Sequence, residues 1–240
     1  MKDINGIEID HLIGATNTVE ENFRLWSTYD WSNEGREWCM SEEWVKSIVR
    51  HVIIPELGGK EHIVEIGAGA GIWSEILLKL CKRLTLVDIV PKCLDICRQK
   101  FAAADNVVCE LNDGRSLGFV ADHGADGIWA MHTFVHINEQ DAAAYFREFK
   151  RILRPGGLAV IHHGRMGNTD LNMGWRSSVT DETIAGICTA VGLHLERQFS
   201  SWGKNGKYKL WPSLEEDKIP DSFSVIRQPY RSVKKNAARK

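Results

Sequence analysis

The run Val64-Glu65-Ile66-Gly67-Ala68-Gly69-Ala70-Gly71 combines one acid with three alternating glycines. It joins a short apolar stretch, Ile63 to Ile66, to a helical pattern of Ile72, Ile76, Leu77 and Leu80. A strand, a glycine turn and a helix in that order make a cradle for a nucleotide-type cofactor. Glycines adopt positive φ and let a ligand lie against the backbone. The first N–H groups of the new helix have no partner within it and face that ligand. At the strand end, Glu65 would repel a pyrophosphate and attract an ammonium. The glycines also depart from the G-x-G-x-x-G spacing of dinucleotide sites. A tight strand–helix turn without a ligand is the competing reading, and the acids that follow weigh against it.

The next apolar run, Leu84-Thr85-Leu86-Val87-Asp88, ends in a second acid. Its place, roughly twenty residues after the glycine loop, suits a ribose ligand. A carboxylate there can accept both ribose hydroxyls. Asp88 also suits an N-cap for the helix that begins near Pro91. Asn112-Asp113-Gly114 follows a third run, Asn106 to Glu110; taken alone it is a turn signal.

The acid-led Glu65-x-Gly67-x-Gly69-x-Gly71 after a strand resembles motif I of the class I S-adenosylmethionine-dependent methyltransferases. Leu153-Arg154-Pro155-Gly156-Gly157 before a strand matches that family as well. The resemblance implies S-adenosyl-L-methionine as cofactor and S-adenosyl-L-homocysteine as product. It implies that Glu65, Gly67, Ala68, Gly69, Gly71 and Trp73 surround the methionine part and the turn. Asp88 and Ile89 would hold the ribose. Asn112, Asp113 and Gly114 would sit at the adenine end, with Asp113 accepting from the adenine amino group. Met131 would close the site from the fourth strand. Trp31 or Trp38, and in particular Trp38, would cover the sulfonium, because aromatic faces attract cations.

A narrower resemblance is to bacterial methyltransferases associated with sugar and surface-polysaccharide biosynthesis. It rests on Trp31-Ser32-Asn33-Glu34-Gly35-Arg36-Glu37-Trp38, Asn112-Asp113-Gly114-Arg115-Ser116-Leu117, Phe134-Val135-His136-Ile137, Ile161-His162-His163-Gly164 and Trp175-Arg176-Ser177-Ser178. Where that group favours an acid just past the fourth strand, this chain has His132. The implied activity is methyl transfer to a hydroxyl of a sugar or small glycosylated acceptor. Fold alone does not set a substrate, so small-molecule N-methylation and a non-catalytic cofactor-binding module stay open.

A hydroxyl is a poor nucleophile while protonated, so an O-methyl acceptor wants a base nearby. Positioned acid–base groups contribute about 10²–10⁴-fold. Four histidines fall at strand ends: His132 and His136 after the fourth strand, His162 and His163 at the end of the fifth. Adjacent strand residues point to opposite faces, so at most one of His162 and His163 faces the site. His163 is the choice here, being nearer the carboxyl end. His136, His163 and His132 are therefore the candidate catalytic residues. Capping or packing competes for His136, and stacking near adenine competes for His132. Two of these histidines with Asp170 could hold a metal, but no ligand spacing enforces one; the expectation is no metal. Arg165 and Arg176 would suit a carboxyl-rich acceptor.

Around these residues the elements alternate. Strands are expected at Ile63–Ile66, Leu84–Asp88, Val107–Glu110, Gly127–Met131 and Leu158–His162. Helices are expected at Ile72–Lys82, Lys92–Ala102 and Glu139–Leu153. Tyr145, Phe146, Phe149 and Ile152 form the apolar face of the last. Such alternation argues for an α/β, Rossmann-like, doubly wound, mostly parallel seven-stranded sheet. A further helix starts at Thr180-Asp181-Glu182-Thr183 and stops at Gly192. Leu193–Ser201 and Phe223–Arg227 then read as an antiparallel C-terminal pair, as in the resembled family. The tryptophan-rich residues 1–60 read as an N-terminal helical lid, with Trp44 packing. Residues 61–230 read as the core, and 231–240 as a frayed basic tail.

Composition bounds the function class. The 240 residues are 43% hydrophobic and 26% charged, with net charge −2. That describes a globular protein without the basic field that nucleic acid requires. Ala130-Met131-His132-Thr133 also lacks an Asn-Pro-Pro-Tyr-type motif, so nucleic acid is not the expected partner; a small-molecule or glycan acceptor is. Six cysteines without metal or disulfide spacing suit a reducing compartment. No run approaches a membrane span and the start has no apolar signal core, so a cytoplasmic location is expected.

Overall fold

In a computed structural model, which describes residues 16–167 and 176–230, the alternating pattern folds into one central sheet with helices on both faces. Asp170, Trp175 and the basic tail 231–240 lie outside the described residues. The N-terminal segment holds α1 (Val19–Thr28), α2 (Glu42–Ile48) and α3 (Ile54–Leu57), the last two joined by a π-helical turn, Val49–Ile53. There follow β1 (Lys60–Ile66), α4 (Ser74–Leu77), β2 (Cys81–Asp88), α5 (Pro91–Lys100), β3 (Val107–Leu111), β4 (Ala125–Phe134), α6 (Glu139–Ile152) and β5 (Leu153–Gly164). The C-terminal part is α7 (Asp181–Val191), β6 (His194–Phe199), the short hairpin β7 (Ser201–Trp202) and β8 (Tyr208–Lys209), and β9 (Asp221–Arg227).

The seven-stranded order is β3-β2-β1-β4-β5-β9-β6. Neighbours from β3 to β5 pair in parallel, and β9 runs antiparallel between β5 and β6. Strand order reverses between β1 and β4, and ligands on such sheets sit outside the carboxyl ends at that point.

Alternation along each strand supplies two cores. Ile63, Leu84, Leu86, Trp129, Val160 and Phe223 pack on one face with Ile48, Leu57 and Leu77. Val64, Ile66, Val87, Ile128, Ala130 and Ile161 pack on the other with Phe146 and Phe149 of α6. The strands are buried on both faces, which is why they read as continuous apolar runs.

Several boundaries differ from expectation: β4 runs on to Phe134, so His132 lies within it and not after it, and β5 begins at Leu153. The helix expected over Ile72–Lys82 is regular only at Ser74–Leu77, because β2 already pairs at Lys60↔Cys81. The Leu80 carbonyl then accepts the Gly59 N–H at 2.9 Å instead of continuing a helix. Of the segment expected as a lid, α1 and the turns to Trp38 cover the strand ends, whereas α2 to α3 packs into the sheet. Trp44, Ile48, Val52, Ile53 and Leu57 are all core residues there. Among the described residues no helix is long and apolar enough to cross a membrane.

Candidate functional site

The glycine turn lies where the sequence puts it, between β1 and the first turn of α4. Gly67, Gly69 and Gly71 have φ of +71°, +53° and +81°. Gly67 has a further constraint: a Cβ there would stand 2.2 Å from Thr133 Oγ1. Thr133 cannot simply swing away, since Oγ1 donates to the Ile66 carbonyl at 3.0 Å. A Cβ on Gly69 would meet the Trp31 ring at 3.0 Å, so the lid lies directly on the turn.

Above the turn is a cavity of about 1000 Å³ including its open mouth. It is lined by the ends of β1, β2 and β4, the loop after β3, and the lid. Among the expected residues it brings together Gly67, Ala68, Gly69, Trp73, Asp88, Ile89, Gly114, Met131, His132, His136 and Trp38. Asp88 is buried, with Oδ2 accepting the Gly69 N–H and Oδ1 the Val90 N–H, each at 2.9 Å. Burial raises its pKa against the backbone N–H groups of Val90, Gly69 and Ile89. Each oxygen keeps a free lone pair for a hydroxyl donor from the cavity. A buried two-oxygen acceptor beside Cβ-free backbone fits a ribose and its attached chain.

Five expected site residues do not line the cavity. Glu65 shares the α4 face of β1 with Ile63, and Ser74 Oγ donates to its Oε2 at 2.6 Å. Burial pushes the Glu65 carboxyl up to about 8, so near neutral pH it is mostly protonated and set beneath the turn. The carboxyl is turned to Ser74 and does not line the cavity, so this arrangement gives it no direct contact with a ligand's ammonium. A Cβ on Gly71 would meet Phe101 at 2.9 Å; its place is a packing contact. Asn112 and Asp113 build the loop that presents Gly114. Asn112 Oδ1 accepts from Gly114 N–H at 2.7 Å and from Tyr145 O–H at 3.1 Å. Asp113 Oδ1 accepts the N–H groups of Arg115 and Ser116 at 2.9 and 2.7 Å.

His163 is the fifth, and its placement corrects the choice between the two adjacent histidines. It faces the α6–α7 side and is fully buried. Its Nδ1 lies 2.6 Å from the Gly164 carbonyl and Nε2 lies 2.6 Å from Ser224 Oγ. Burial lowers its pKa to about 4. His162, on the opposite face, does not line the cavity either, but it touches a residue that does: its Nδ1 accepts the backbone N–H of His132 at 3.1 Å. Position along the strand suggested His163; the sheet's face puts His162, not His163, behind the cavity wall.

The lid supplies an aromatic wall. Trp26 packs edge-on against Trp38 and His136, with ring centroids 5.6 and 5.1 Å apart. Tyr29 and Trp31 complete the cluster at 5.0 Å from one another. Three polar contacts hold it down. Asn22 Nδ2 donates to the His136 carbonyl at 2.8 Å, Asn138 Nδ2 to the Asn17 carbonyl at 3.1 Å, and Lys100 Nζ lies 3.0 Å from Glu34 Oε2. Asn22, Glu34, Thr133, Asp141 and Tyr145 are lining residues that sequence reasoning missed. Asp141 and Tyr145 sit on the apolar-face spacing of α6, where a helix N-terminus aimed at the cavity was the available signal. Among the described residues no group of three His, Cys, Asp or Glu is placed to hold a metal ion.

Comparison with known proteins agrees with this geometry. Residues 63–157 match the family model described as a methyltransferase domain. An Arabidopsis thaliana protein named alpha N-terminal protein methyltransferase 1 is 24% identical over 166 residues, 65% of this chain and 60% of that protein. A Mycobacterium avium protein carrying the name O-methyltransferase is 32% identical over 123 residues, 48% of this chain and 53% of its own length. The chain thus spans little more than half the length of these relatives. Among solved structures, a Leishmania major S-adenosylmethionine-dependent methyltransferase superposes with a TM-score of 0.68 at 17% identity, over 94% of this chain and 95% of that one. The N-methyltransferase NodS of Bradyrhizobium japonicum, solved with S-adenosyl-L-homocysteine, gives 0.60 at 18% identity, over 88% and 98%. With its domain match lying across the strands that form the cavity, the chain has the Rossmann-like fold of the class I S-adenosylmethionine-dependent methyltransferases.

Proposed function

We propose that this protein transfers a methyl group from S-adenosylmethionine to a hydroxyl of a sugar or small glycosylated acceptor. The observation that carries the reading is one shared cavity: the Gly67–Gly69 turn with Asp88 at one part of its wall, and His132 and His136 with the lid rings at another. In this reading Asp88 accepts the ribose hydroxyls, the glycine turn lies against the methionine chain, and Gly114 borders the adenine. When bound, the cofactor supplies an electrophilic methyl on a sulfonium. The chain's own contribution is to orient the acceptor and take its proton. Orientation alone is worth several orders of magnitude.

His136 is assigned the base role. Burial, His162 and Arg176 hold the His132 pKa well below its ordinary value, with Asp221 opposing; His132 is then a neutral orienting group and a weak base. Trp26 and Trp38 line the cavity, and aromatic rings suit the C–H groups of a sugar ring. The same rings favour a second reading, an amine acceptor, because they attract an alkylammonium.

The test is label transfer from methyl-labelled S-adenosylmethionine to a panel of nucleotide-linked sugars, lipid-linked sugars, small amines and peptides with free N-termini. Label in an ether of a sugar supports the proposal. Label only on nitrogen replaces it with the amine reading. Micromolar binding of S-adenosylhomocysteine by calorimetry is expected beforehand; a folded protein that does not bind it would favour a non-catalytic role.

A further inference from the structure

His132 occupies an unusual backbone position. Its φ is +58°, in the left-handed region that non-glycine residues seldom adopt. It lies in the irregular stretch of β4 between Ala130 and Phe134, where the register with β5 shifts. Such a conformation is strained and persists only where the surroundings hold it.

The holding group is identifiable. The His132 N–H donates to His162 Nδ1 at 3.1 Å. A ring nitrogen that accepts a hydrogen bond carries no proton, so the His162 proton is on Nε2. That nitrogen lies 3.3 Å from Asp221 Oδ2, in ion-pair range though poorly aligned as a hydrogen bond. Asp221 is buried on β9, paired through Oδ1 with Arg176, and accepts the Trp211 Nε1–H on Oδ2 at 2.7 Å. Burial alone would raise the Asp221 pKa; Arg176 and His162 outweigh it and hold the carboxyl well below its usual range. The His162 ring meets the His132 ring edge-to-face, centroids 5.0 Å apart. On its other side, Trp44 stacks on His132 at 6.3 Å.

The outcome is a defined ring orientation. His132 Nε2 is buried without a hydrogen-bond partner among the described residues, which leaves Nδ1 as the ring nitrogen open to the cavity. We propose that His162 and Asp221 are positioning residues: they lock the His132 backbone and ring so that Nδ1 makes a fixed hydrogen bond to an uncharged polar group of the acceptor. This rests on the reading of the cavity as a methyl-transfer site. Among the described residues no Lys or Arg lines the cavity, which suits an uncharged group at this point. The groups that set the charge of His132 are His162 on β5, Asp221 on β9, Arg176 ahead of α7 and His136 after β4.

The test is nitrogen-15 spectroscopy of histidine-labelled protein with S-adenosylhomocysteine present, from pH 5.5 to 8. Wild type should show neutral His162 as the Nε2–H tautomer, and His132 neutral across the range. In His162→Phe, which keeps the ring shape and loses both nitrogens, the His132 signals should shift or broaden. His162→Asn, which restores an acceptor near Nδ1, should return them. A wild-type His162 protonated on Nδ1, or a His132 that titrates near 6.5, overturns the proposal. So does a His132 spectrum unchanged in His162→Phe. If that variant does not fold, the wild-type tautomers still decide. Calorimetry with S-adenosylhomocysteine tests the site reading separately: lost binding with the expected tautomers would refute methyl transfer and leave the lock standing.

Discussion

Replacing Glu65 with Gln separates two roles for the buried acid under the glycine turn. The carboxyl has an ordinary value of 4.5 and is pushed by burial to about 8, against the Ser74 hydrogen bond and with Asp88 adding to the rise. Between those values the folded protein keeps a proton that the unfolded chain releases. Its contribution is therefore fully present below 4.5 and is lost as pH rises to about 8. At about 1.4 kcal/mol per pH unit the interval corresponds to about 5 kcal/mol. A Gln side chain is uncharged at every pH and keeps an oxygen for the Ser74 hydroxyl. Urea unfolding of wild type and Glu65→Gln at pH 5, 7 and 8.5 measures the difference. The variant should gain on wild type by several kcal/mol between the first and last. Its affinity for S-adenosylhomocysteine should change by less than tenfold, about 1.4 kcal/mol, because the residue does not line the cavity. Parallel stability curves would show that Glu65 is ionised in the fold. With a large loss of affinity besides, they would return it to the ligand's ammonium as an anion.

Two other substitutions test the wall and the misassigned histidine. Gly67→Ala places a methyl 2.2 Å from Thr133 Oγ1 at a φ of +71°. The strain should cost about 1–3 kcal/mol in urea unfolding and weaken S-adenosylhomocysteine binding at least tenfold, about 1.4 kcal/mol; normal values for both would mean the turn is loose. His163→Leu should leave binding unchanged. Burial lowers His163 from 6.5 to about 4, so the unfolded chain takes up the proton first and stability is lost as pH falls through that window. The loss is about 3 kcal/mol at about 1.4 per pH unit. The Leu variant should lack this acid-dependent part while being about 1–3 kcal/mol weaker at pH 7, because the Ser224 O–H loses its acceptor and keeps only the Gln198 N–H on its oxygen. An unaltered acid profile would mean that His163 is protonated in the fold, and lost turnover at normal stability would restore it as a catalytic candidate.

The glycine-turn side of the cavity was legible because its parts are local. Gly67 to Gly71 and Asp88 stand at the ends of contiguous apolar runs, so finding the strands finds the residues. Parallel pairing of β1 with β2 and β4 then brings those ends together whatever the loops do. Glu65 shows the limit of this logic. Its place at a strand end was correct, but one step along a strand reverses the face. The glycine turn opens over Gly67, not over the side chain two residues earlier.

The histidine side of the cavity depends on pairings far apart in sequence, and there spacing alone is silent. His162 and His163 are adjacent and chemically identical; only the packing of α7 and Ser224 against one face, and of Phe223 and Trp129 against the other, separates them. Asp221 follows a proline at the start of an ordinary strand and has no motif. It acquires a role because β9 inserts beside β5 and sets Gly164 opposite Asp221 and His162 opposite Phe223. Arg176 reaches the same carboxylate from the segment before α7. The register of one antiparallel strand thus decides which histidine meets His132. A one-residue slip of β9 would exchange every side chain between its faces, removing the Asp221 contact and the Ser224 contact together. Orientation of the His132 wall is therefore a property of the C-terminal strand pair, although the lining residue itself comes from β4.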